Sequence, residues 1–264
     1  VDQEFYYSEG DTTHLILMPV FNARRYLNAV AEYRANSIRL VSPMMSMILQ
    51  ETDLIESLDL TCVNQIYLTS SFAPKKLQDD ARRAFPAVGS IDNPYGTTET
   101  GPVFGGHPKG IPRPAASCGY PLPDVEVKID DRGVLLIRSE MLMSQYLNRK
   151  ELTDQSITED GYYITNDIFR VNKYGFYFYI GRADDMFKSG GEKIYPAEIE
   201  EVIDRHPAVA LSTIVGVEDD IKGHKPYAFV QLKPGAEATV EELKSFTVSN
   251  VATYQIPRQF WILK

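Results

Sequence analysis

The sequence has little cysteine, tryptophan or histidine: two, one and four residues respectively in a chain of 264. The two cysteines, Cys62 and Cys118, are too few for a disulfide scaffold and lack the spacing of a metal-binding motif. A reducing compartment is the simplest interpretation, and we expect a cytoplasmic protein. The four histidines have no partner at ligand spacing, which favours structural or surface roles; they are His14, His107, His206 and His224.

Long apolar runs and familiar signals are also absent. No apolar run approaches the roughly 18 residues of a membrane-spanning helix, so no membrane span is expected. The start, Val1-Asp2-Gln3-Glu4, has no initiator Met, no basic segment and no apolar signal core. We therefore expect either a processed chain or a piece of a longer protein. No nucleophile elbow, Walker loop or paired-histidine metal motif supports the enzyme classes that such motifs mark.

The overall composition is that of an ordinary globular protein. Apolar residues make up 44% and charged residues 24%, which excludes a disordered or fibrous chain. Lysine and arginine number 27 against 36 aspartates and glutamates, giving a net charge of −9 at pH 7. An acidic chain has no general attraction to nucleic acid or to an anionic membrane, so neither is expected as a partner. The length allows one large domain or two modest ones.

Strands and helices alternate along the first part of the chain. Apolar patterns predict strands at 12–21, 37–41, 62–69 and 90–92, and helices at 23–34, 44–50 and 75–85. Asn22 precedes the first helix and is expected to cap it. Such alternation indicates a parallel sheet flanked by helices.

The pattern changes twice further along. From about residue 106, glycines and prolines separate predicted strands at 125–129, 134–137 and 174–180, which indicates a small antiparallel β subdomain. After Gly181 comes a compact α+β unit, with Pro196 opening a helix and a second helix at 240–254. The predicted fold class is α/β: a parallel helix-flanked sheet piece plus this β subdomain at about 106–181, followed by a separate small α+β C-terminal domain at 182–264.

A polar cluster follows the predicted strand at 90–92 and reads Asn-Pro-Tyr-Gly-Thr-Thr-Glu-Thr-Gly over residues 93–101. The carboxyl ends of parallel strands are where open α/β sheets bind ligands. Hydroxyl and backbone N–H groups there can hold a phosphate, the glutamate can ligate Mg²⁺, and the tyrosine face can stack on a base. The alternative is a polar turn that caps the next helix.

Two further clusters carry polar groups suited to a nucleotide. Residues 162–167 end in Asp167, whose carboxylate could accept both hydroxyls of a ribose, although a surface turn is an alternative. Residues 181–200 contain Arg182, suited to phosphate or ribose, and a Lys-Ser-Gly-Gly stretch whose backbone could approach an anion. The alternative for this segment is a charged linker between units.

In this order and spacing, the clusters resemble the adenylate-forming superfamily, which includes acyl-CoA and aryl-CoA ligases, peptide-synthetase adenylation domains and luciferases. Residues 93–99 resemble the Tyr-Gly-x-Thr-Glu motif of these AMP-binding enzymes, and Thr165-Asn166-Asp167 resembles their Thr-Gly-Asp. Residues 181–200 resemble the Gly-Arg-x-Asp-Asp hinge, followed by Lys-x-x-Gly and Ile-x-Pro-x-Glu-Ile-Glu. A weaker echo at 143–148 resembles Met-x-Gly-Tyr-x-Asn.

The resemblance implies roles for particular residues in the first cluster. Asn93 and Tyr95 would hold the adenine, Thr98 would bind the α-phosphate, and Glu99 would bind Mg²⁺. Thr98 and Glu99 would therefore be the catalytic residues. Phe72 and Ala73 would contribute to the acyl or adenine pocket.

Roles in the later clusters follow in the same way. Asp167 and Arg182 would clamp the ribose, with Tyr179 beside them, and Asp184 would be the hinge for rotation of a mobile small domain. The CoA channel would be faced by residues 188–192, among them Lys188, Gly190 and Gly191. The implied boundary divides a partial large AMP-binding domain, 1–181, from a small C-terminal domain, 182–264, truncated at its end.

The implied activity is that of an ATP- and Mg²⁺-dependent acyl- or aryl-CoA ligase, with a small carboxylic acid, ATP and CoA as substrates. The family's phosphate loop and its C-terminal Gly-Lys are not found in this sequence, so we expect the chain alone to be unable to complete adenylation. An adenylation domain that loads an acid onto a carrier protein, and a non-catalytic nucleotide-binding remnant, are the alternatives. Asn166 stands where the family has glycine, which is compatible with a left-handed backbone angle.

Overall fold

A computed structural model describes residues 4–9, 12–69, 73–106 and 111–263. The helices are α1 Ala23–Glu32, α2 Ser42–Ile48, α3 Thr52–Ser57, α4 Lys75–Ala84, α5 Lys150–Ser156, α6 Pro196–Asp204 and α7 Val240–Val248, with a 3-10 turn at Thr253–Gln255. The first strands are β1 Glu4–Glu9, β2 Thr12–Leu17, β3 Ser37–Val41, β4 Gln65–Thr69, β5 Ser90–Asp92, β6 Tyr95–Thr97, β7 Gly101–Gly106 and β8 Tyr120–Pro121. The remaining strands are β9 Glu126–Ile129, β10 Val134–Arg138, β11 Tyr163–Val171, β12 Tyr177–Arg182, β13 Phe187–Ser189, β14 Glu192–Ile194, β15 Val209–Asp219, β16 Gly223–Leu232 and β17 Phe260–Leu263.

The predicted parallel sheet is present, as part of a mixed sheet of order β2-β1-β3-β4-β5. Strands β3, β4 and β5 run parallel, and β1 pairs antiparallel with both β2 and β3. The Asn22 side chain accepts a hydrogen bond from the Arg25 backbone N–H, so it caps α1 as predicted. The sheet ends at β5, immediately before the first polar cluster.

Side chains from α1 and from the central strands form the core of this sheet. Tyr26, Leu27 and Val30 lie on one face of α1 and are completely buried. Alternate residues of β3, Ile38 and Leu40, are buried with them, as the period of two predicts for a strand. Each large apolar side chain buried in this way stabilises the fold by about 1.5–3 kcal/mol.

The first two polar clusters lie in strands and hairpins. Residues 95–97 and 101–106 form β6 and β7 of a sheet of order β6-β7-β8. The turn between them leads into a strand, so the alternative of a turn that caps the next helix is wrong. Residues 163–171 are strand β11 in a sheet of order β12-β11-β10-β9, so the alternative of a surface turn is also wrong. The antiparallel β subdomain and the wider α/β class predicted from the sequence are confirmed.

The C-terminal α+β unit is built around a sheet of order β14-β13-β16-β15, with β17 pairing β16 in parallel. Helices α6 and α7 contribute Ile199, Ile203 and Leu243 to its core. Helix α7 ends at Val248, short of the predicted 254. The side chains of Ser249 and Asn250 donate hydrogen bonds to carbonyls one turn earlier, which satisfies groups that the helix end leaves unpaired.

The chain divides into two compact units. The first comprises Val1–Lys128, Leu136–Ile164 and Val171–Phe178, and the second comprises Ile129–Leu135, Thr165–Arg170 and Tyr179–Lys264. The predicted boundary between 181 and 182 stays a prediction. Across the described ranges, no helix is both long enough and apolar enough to cross a membrane.

Candidate nucleotide-binding and active site

In the first unit, the turn between β6 and β7 is held by hydrogen bonds among its own residues. The backbone N–H of Thr97 donates to Thr100 Oγ1 at 3.1 Å, and Thr100 Oγ1 donates to the Gly101 carbonyl at 2.9 Å. Thr100 is completely buried, whereas Thr98 is exposed. Gly101 has a φ of 64°, in the left-handed region that glycine adopts without strain. The turn therefore presents Thr98 to solvent on a rigid hairpin.

Glu99 follows Thr98 in this turn and is held at two points. Its carbonyl accepts a hydrogen bond from the Met143 backbone N–H at 2.7 Å. Its side-chain Oε1 accepts one from the Tyr146 hydroxyl at 2.9 Å. Partial burial alone would raise the pKa of Glu99, but hydrogen bonds from its own backbone and from nearby hydroxyls outweigh burial and hold the pKa below its usual value. The group is therefore an ionised carboxylate near neutral pH.

The Tyr95 ring lies against other aromatic rings. Its centroid is 5.8 Å from that of Phe104, which in turn stacks on Tyr177 at 4.7 Å. Such packing fixes the orientation of the ring while leaving it only half-buried. Its predicted stacking on adenine stays a prediction.

Asn93 binds backbone groups on two neighbouring segments. Its Nδ2 donates to the Leu68 carbonyl at 2.6 Å, and its Oδ1 accepts from the Ala73 backbone N–H at 3.2 Å. The residue thus joins β4 to the segment that begins α4. Ala73 is completely buried in the core, and its predicted place in a pocket stays a prediction. Phe72 lies outside the described residues.

In the second unit, the predicted ribose-binding residues lie together. Arg182 Nη1 donates to Asp167 Oδ1 at 3.2 Å, and its Nη2 donates to Asp184 Oδ2 at 3.2 Å. Asp167 is only 5% exposed, whereas Arg182 and Asp184 are exposed. Burial, and then the charge of Asp167, raise the pKa of Tyr179 well above its usual range, so this phenol is neutral. The arrangement can present a carboxylate and a guanidinium to a diol.

The backbone beside Asp167 has the geometry that glycine usually supplies. Asn166 has a φ of 57°, which asparagine tolerates better than most residues. Its carbonyl accepts the Ala183 N–H at 2.7 Å. Thr165 Oγ1 accepts the Asp167 N–H at 3.0 Å and donates to the Leu135 carbonyl at 2.8 Å. Asparagine thus adopts this left-handed backbone angle within β11 without glycine.

The Lys-Ser-Gly-Gly stretch forms a tight hairpin between β13 and β14. Gly190 and Gly191 have φ values of 60° and 93°, as a two-residue hairpin turn of the primed type requires. Lys188 is exposed on β13 and pairs across the hairpin with Lys193. The predicted role of these residues at a CoA channel stays a prediction, as does the hinge role of Asp184.

The Glu99 carboxylate fits one mode of divalent-cation binding. Within the described ranges, no cluster of three or more histidine, cysteine, aspartate or glutamate side chains could hold a metal ion. Mg²⁺ at nucleotide sites, however, usually takes one or two carboxylates together with waters and substrate phosphates. The ionised, fixed carboxylate of Glu99, next to the exposed Thr98, fits this mode of binding.

Sequence reasoning missed three residues that lie around Glu99 or support its turn. Tyr146 lies in the weak echo at 143–148 but had no assigned role, and Tyr163 and Thr100 were not singled out. Tyr146 and Glu99 are 47 positions apart, and their contact depends on folding that no local pattern reports.

Comparisons with known proteins give consistent matches. The "AMP-binding enzyme" family model matches residues 7–147, and the "AMP-binding enzyme C-terminal domain" model matches residues 198–264. Medium-chain acyl-CoA ligase ACSF2, mitochondrial, from Macaca fascicularis is 33% identical over 93% of this chain and 42% of its own length. 4-coumarate–CoA ligase 3 from Arabidopsis thaliana is 30% identical over 91% of this chain and 45% of its own length.

Solved structures agree in fold. The anthranilate CoA ligase AuaEII in complex with anthranoyl-AMP matches with a TM-score of 0.83 and 27% identity, over 94% of this chain and 50% of that one. The o-succinylbenzoate CoA synthetase MenE from Bacillus subtilis matches with a TM-score of 0.77 and 28% identity, over 92% and 50%. The chain thus spans less than half of these curated relatives and half of these solved chains. Because a single family model matches residues 7–147, more than half of the chain, the protein belongs to the AMP-binding enzyme family.

Proposed function

We propose that the protein is an ATP- and Mg²⁺-dependent acid–thiol ligase that adenylates an acyl or aryl carboxylic acid and then transfers it to CoA. The observation that carries the proposal is the turn at 97–101, where an exposed hydroxyl and a fixed, ionised carboxylate stand side by side. The pairing of Asp167 with Arg182 in the second unit and the CoA-ligase relatives support it. The cytoplasmic location stays a prediction, and one relative is named as mitochondrial.

In the first half-reaction, an oxygen of the acid attacks the α-phosphorus of ATP and pyrophosphate leaves. Such transfer needs positioning and charge neutralisation more than covalent catalysis. Thr98 would donate a hydrogen bond to the α-phosphate, and Asp167 would accept hydrogen bonds from the ribose hydroxyls. Mg²⁺, when held by Glu99 and the phosphates, would neutralise negative charge on the transferring group.

In the second half-reaction, the thiol of CoA attacks the carbonyl carbon of the acyl-adenylate, and AMP leaves. The thiol proton is lost to solvent or to the departing phosphate. Rotation of a small domain near Asp184 would let one cleft serve both steps in turn. Lys188 and the Gly190-Gly191 turn would then face the thiol substrate.

The experiment measures acid-dependent exchange of labelled pyrophosphate into ATP, and CoA thioester formation, with the protein as its gene encodes it. Medium-chain and aryl acids form the panel. We expect both activities in the wild type and a loss of at least 100-fold in exchange for Glu99→Gln, because the carboxylate that would hold the cation is gone. Glu126→Gln, on the exposed surface of β9, is the control and should leave exchange unchanged.

Other outcomes would separate the alternatives. Exchange without CoA turnover, but with loading of a carrier protein, would contradict CoA as acceptor. Binding of AMP with no exchange for any acid would identify a nucleotide-binding remnant. We expect the 264-residue chain itself to bind AMP without completing adenylation, since its sequence holds neither the phosphate loop nor the Gly-Lys motif.

A further inference from the structure

We infer that Tyr146, supported by Tyr163, is a positioning residue that fixes the Glu99 carboxylate toward a nucleotide-bound divalent cation. The inference rests on the proposed function, because it assumes that Glu99 faces such a cation. It assigns a positioning role to Tyr146 and Tyr163, neither of which would touch substrate. All three residues belong to the first compact unit.

Two tyrosine hydroxyls lie next to the Glu99 carboxylate. The Tyr146 hydroxyl lies 2.9 Å from Glu99 Oε1 and 3.2 Å from the Tyr163 hydroxyl. A phenol has one proton to donate. Because an ionised carboxylate can only accept, the proton of Tyr146 points to Glu99. Tyr163 also hydrogen-bonds the Glu99 carboxylate, so the two phenols face the same group.

Tyr146 is itself held in place. Its backbone N–H donates to Thr153 Oγ1 at 3.0 Å, and Thr153 Oγ1 donates to the Arg149 carbonyl at 3.2 Å, at the start of α5. Tyr163 lies on β11 and is only 7% exposed. The hydroxyl that reaches Glu99 thus comes from a side chain anchored at its backbone and at its tip.

A fixed donor matters because a glutamate side chain rotates about three bonds. Mg²⁺ demands near-ideal octahedral geometry, so a carboxylate that samples several orientations binds it less well. Tyr146 donates to Oε1 of Glu99, and Tyr163, Thr97 and the Glu99 backbone N–H also hydrogen-bond this carboxylate. These donors orient the carboxylate, as outer-shell partners of metal ligands do elsewhere.

The test measures ATP affinity with Mn²⁺ and again with EDTA, using the protein as its gene encodes it. Mn²⁺ is the probe because it prefers the same oxygen ligands as Mg²⁺, and its electron paramagnetic resonance reports binding directly. The ratio of the two affinities isolates the contribution of the cation. We expect Tyr146→Phe to lower this ratio about tenfold, the lower end for an outer-shell partner, while the affinity in EDTA is unchanged. Tyr163→Phe should lower the ratio less.

Tyr162→Phe is the matched control, because Tyr162 is adjacent in sequence but donates its hydroxyl to Glu126 on the surface. It should leave both affinities unchanged. If Tyr146→Phe keeps the wild-type ratio while Glu99→Gln lowers it, the inference is overturned and the proposed function stands. If Tyr146→Phe weakens both affinities equally, its role is structural and the inference is also overturned. If Glu99→Gln leaves the ratio unchanged, the metal role of Glu99 fails, and the inference fails with it.

Discussion

At the scale of single residues, several polar side chains are buried only because backbone groups satisfy them. Asn93 is 5% exposed and joins two segments through its amide, and Thr100 has no exposed surface and closes the turn next to Thr98. Burying such groups unpaired would cost roughly 1–3 kcal/mol each. The residues that would contact substrate, Thr98 and Arg182, are instead exposed. Within the 97–101 turn, Thr100 therefore supports the backbone while Thr98 is available for contact.

Glu200 permits a prediction about pH. Burial is the main reason why the pKa of Glu200 is raised, and the negative charge of Asp185 raises it further. The hydrogen bond that Glu200 Oε1 accepts from the Ile214 backbone N–H at 2.8 Å opposes this shift but does not cancel it. The folded state therefore binds more protons than the unfolded state between the usual pKa and the raised one, and the free energy of unfolding falls as pH rises through that window. Glu200→Gln keeps the acceptor but cannot ionise. We expect it to be more stable than wild type at pH 7 to 8, with the difference shrinking toward about pH 4.

Denaturant unfolding at several pH values checks this expectation. Glu242→Gln is the matched control, and its effect on stability should change with pH in the opposite direction. Hydrogen bonds from Thr239 in the capping box of α7 lower the pKa of Glu242. This variant should lose stability near neutral pH and match wild type in acid. A constant difference between Glu200→Gln and wild type at every pH would contradict the assigned cause.

At the scale of elements, the β6–β7 hairpin depends on the absence of a side chain at Gly96. A Cβ atom there would lie 2.3 Å from the Gly101 carbonyl oxygen, so the backbone would have to move. We expect Gly96→Ala to destabilise the protein by about 1–3 kcal/mol. In Gly106→Ala, on the partner strand β7, the added Cβ meets no atom of the described residues within 4 Å, so this variant is the control. Equal unfolding free energies for the two variants would show that the close approach does not constrain the hairpin.

The sequence predicted best those elements whose stabilising contacts lie close together along the chain. Strands β3 and β5 have their predicted bounds, and the face of α1 follows from its spacing of apolar residues. The hairpin at 95–106 and strand β11 were not anticipated as strands. Their polar residues are held by contacts such as Tyr146 with Glu99 and Thr165 with Leu135, which join distant positions. Local periodicity contains no information about such pairs.

At the scale of the whole molecule, one buried apolar cluster of the second unit is drawn from a continuous part of the chain. Its buried residues run from Ile194 to Phe260, and the partly buried Phe187 and Ile262 pack against them. We therefore expect residues 182–264, expressed alone, to unfold cooperatively in denaturant and to give dispersed amide resonances. A chain that lacks a cooperative transition would show that this core needs the preceding segments. The result would also test the predicted boundary at 182.

The second unit nevertheless takes Ile129–Leu135 and Thr165–Arg170 from earlier in the chain. Asp167 and Arg182 bind each other. In the sequence, however, Asp167 precedes and Arg182 follows Val171–Phe178, which belongs to the first unit. A recombinant chimera with one crossover near residue 180 would join the guanidinium of one parent to the carboxylate of the other. Exchange of a complete small unit between relatives thus requires several crossovers, and Asp167 and Arg182 must be inherited as a set.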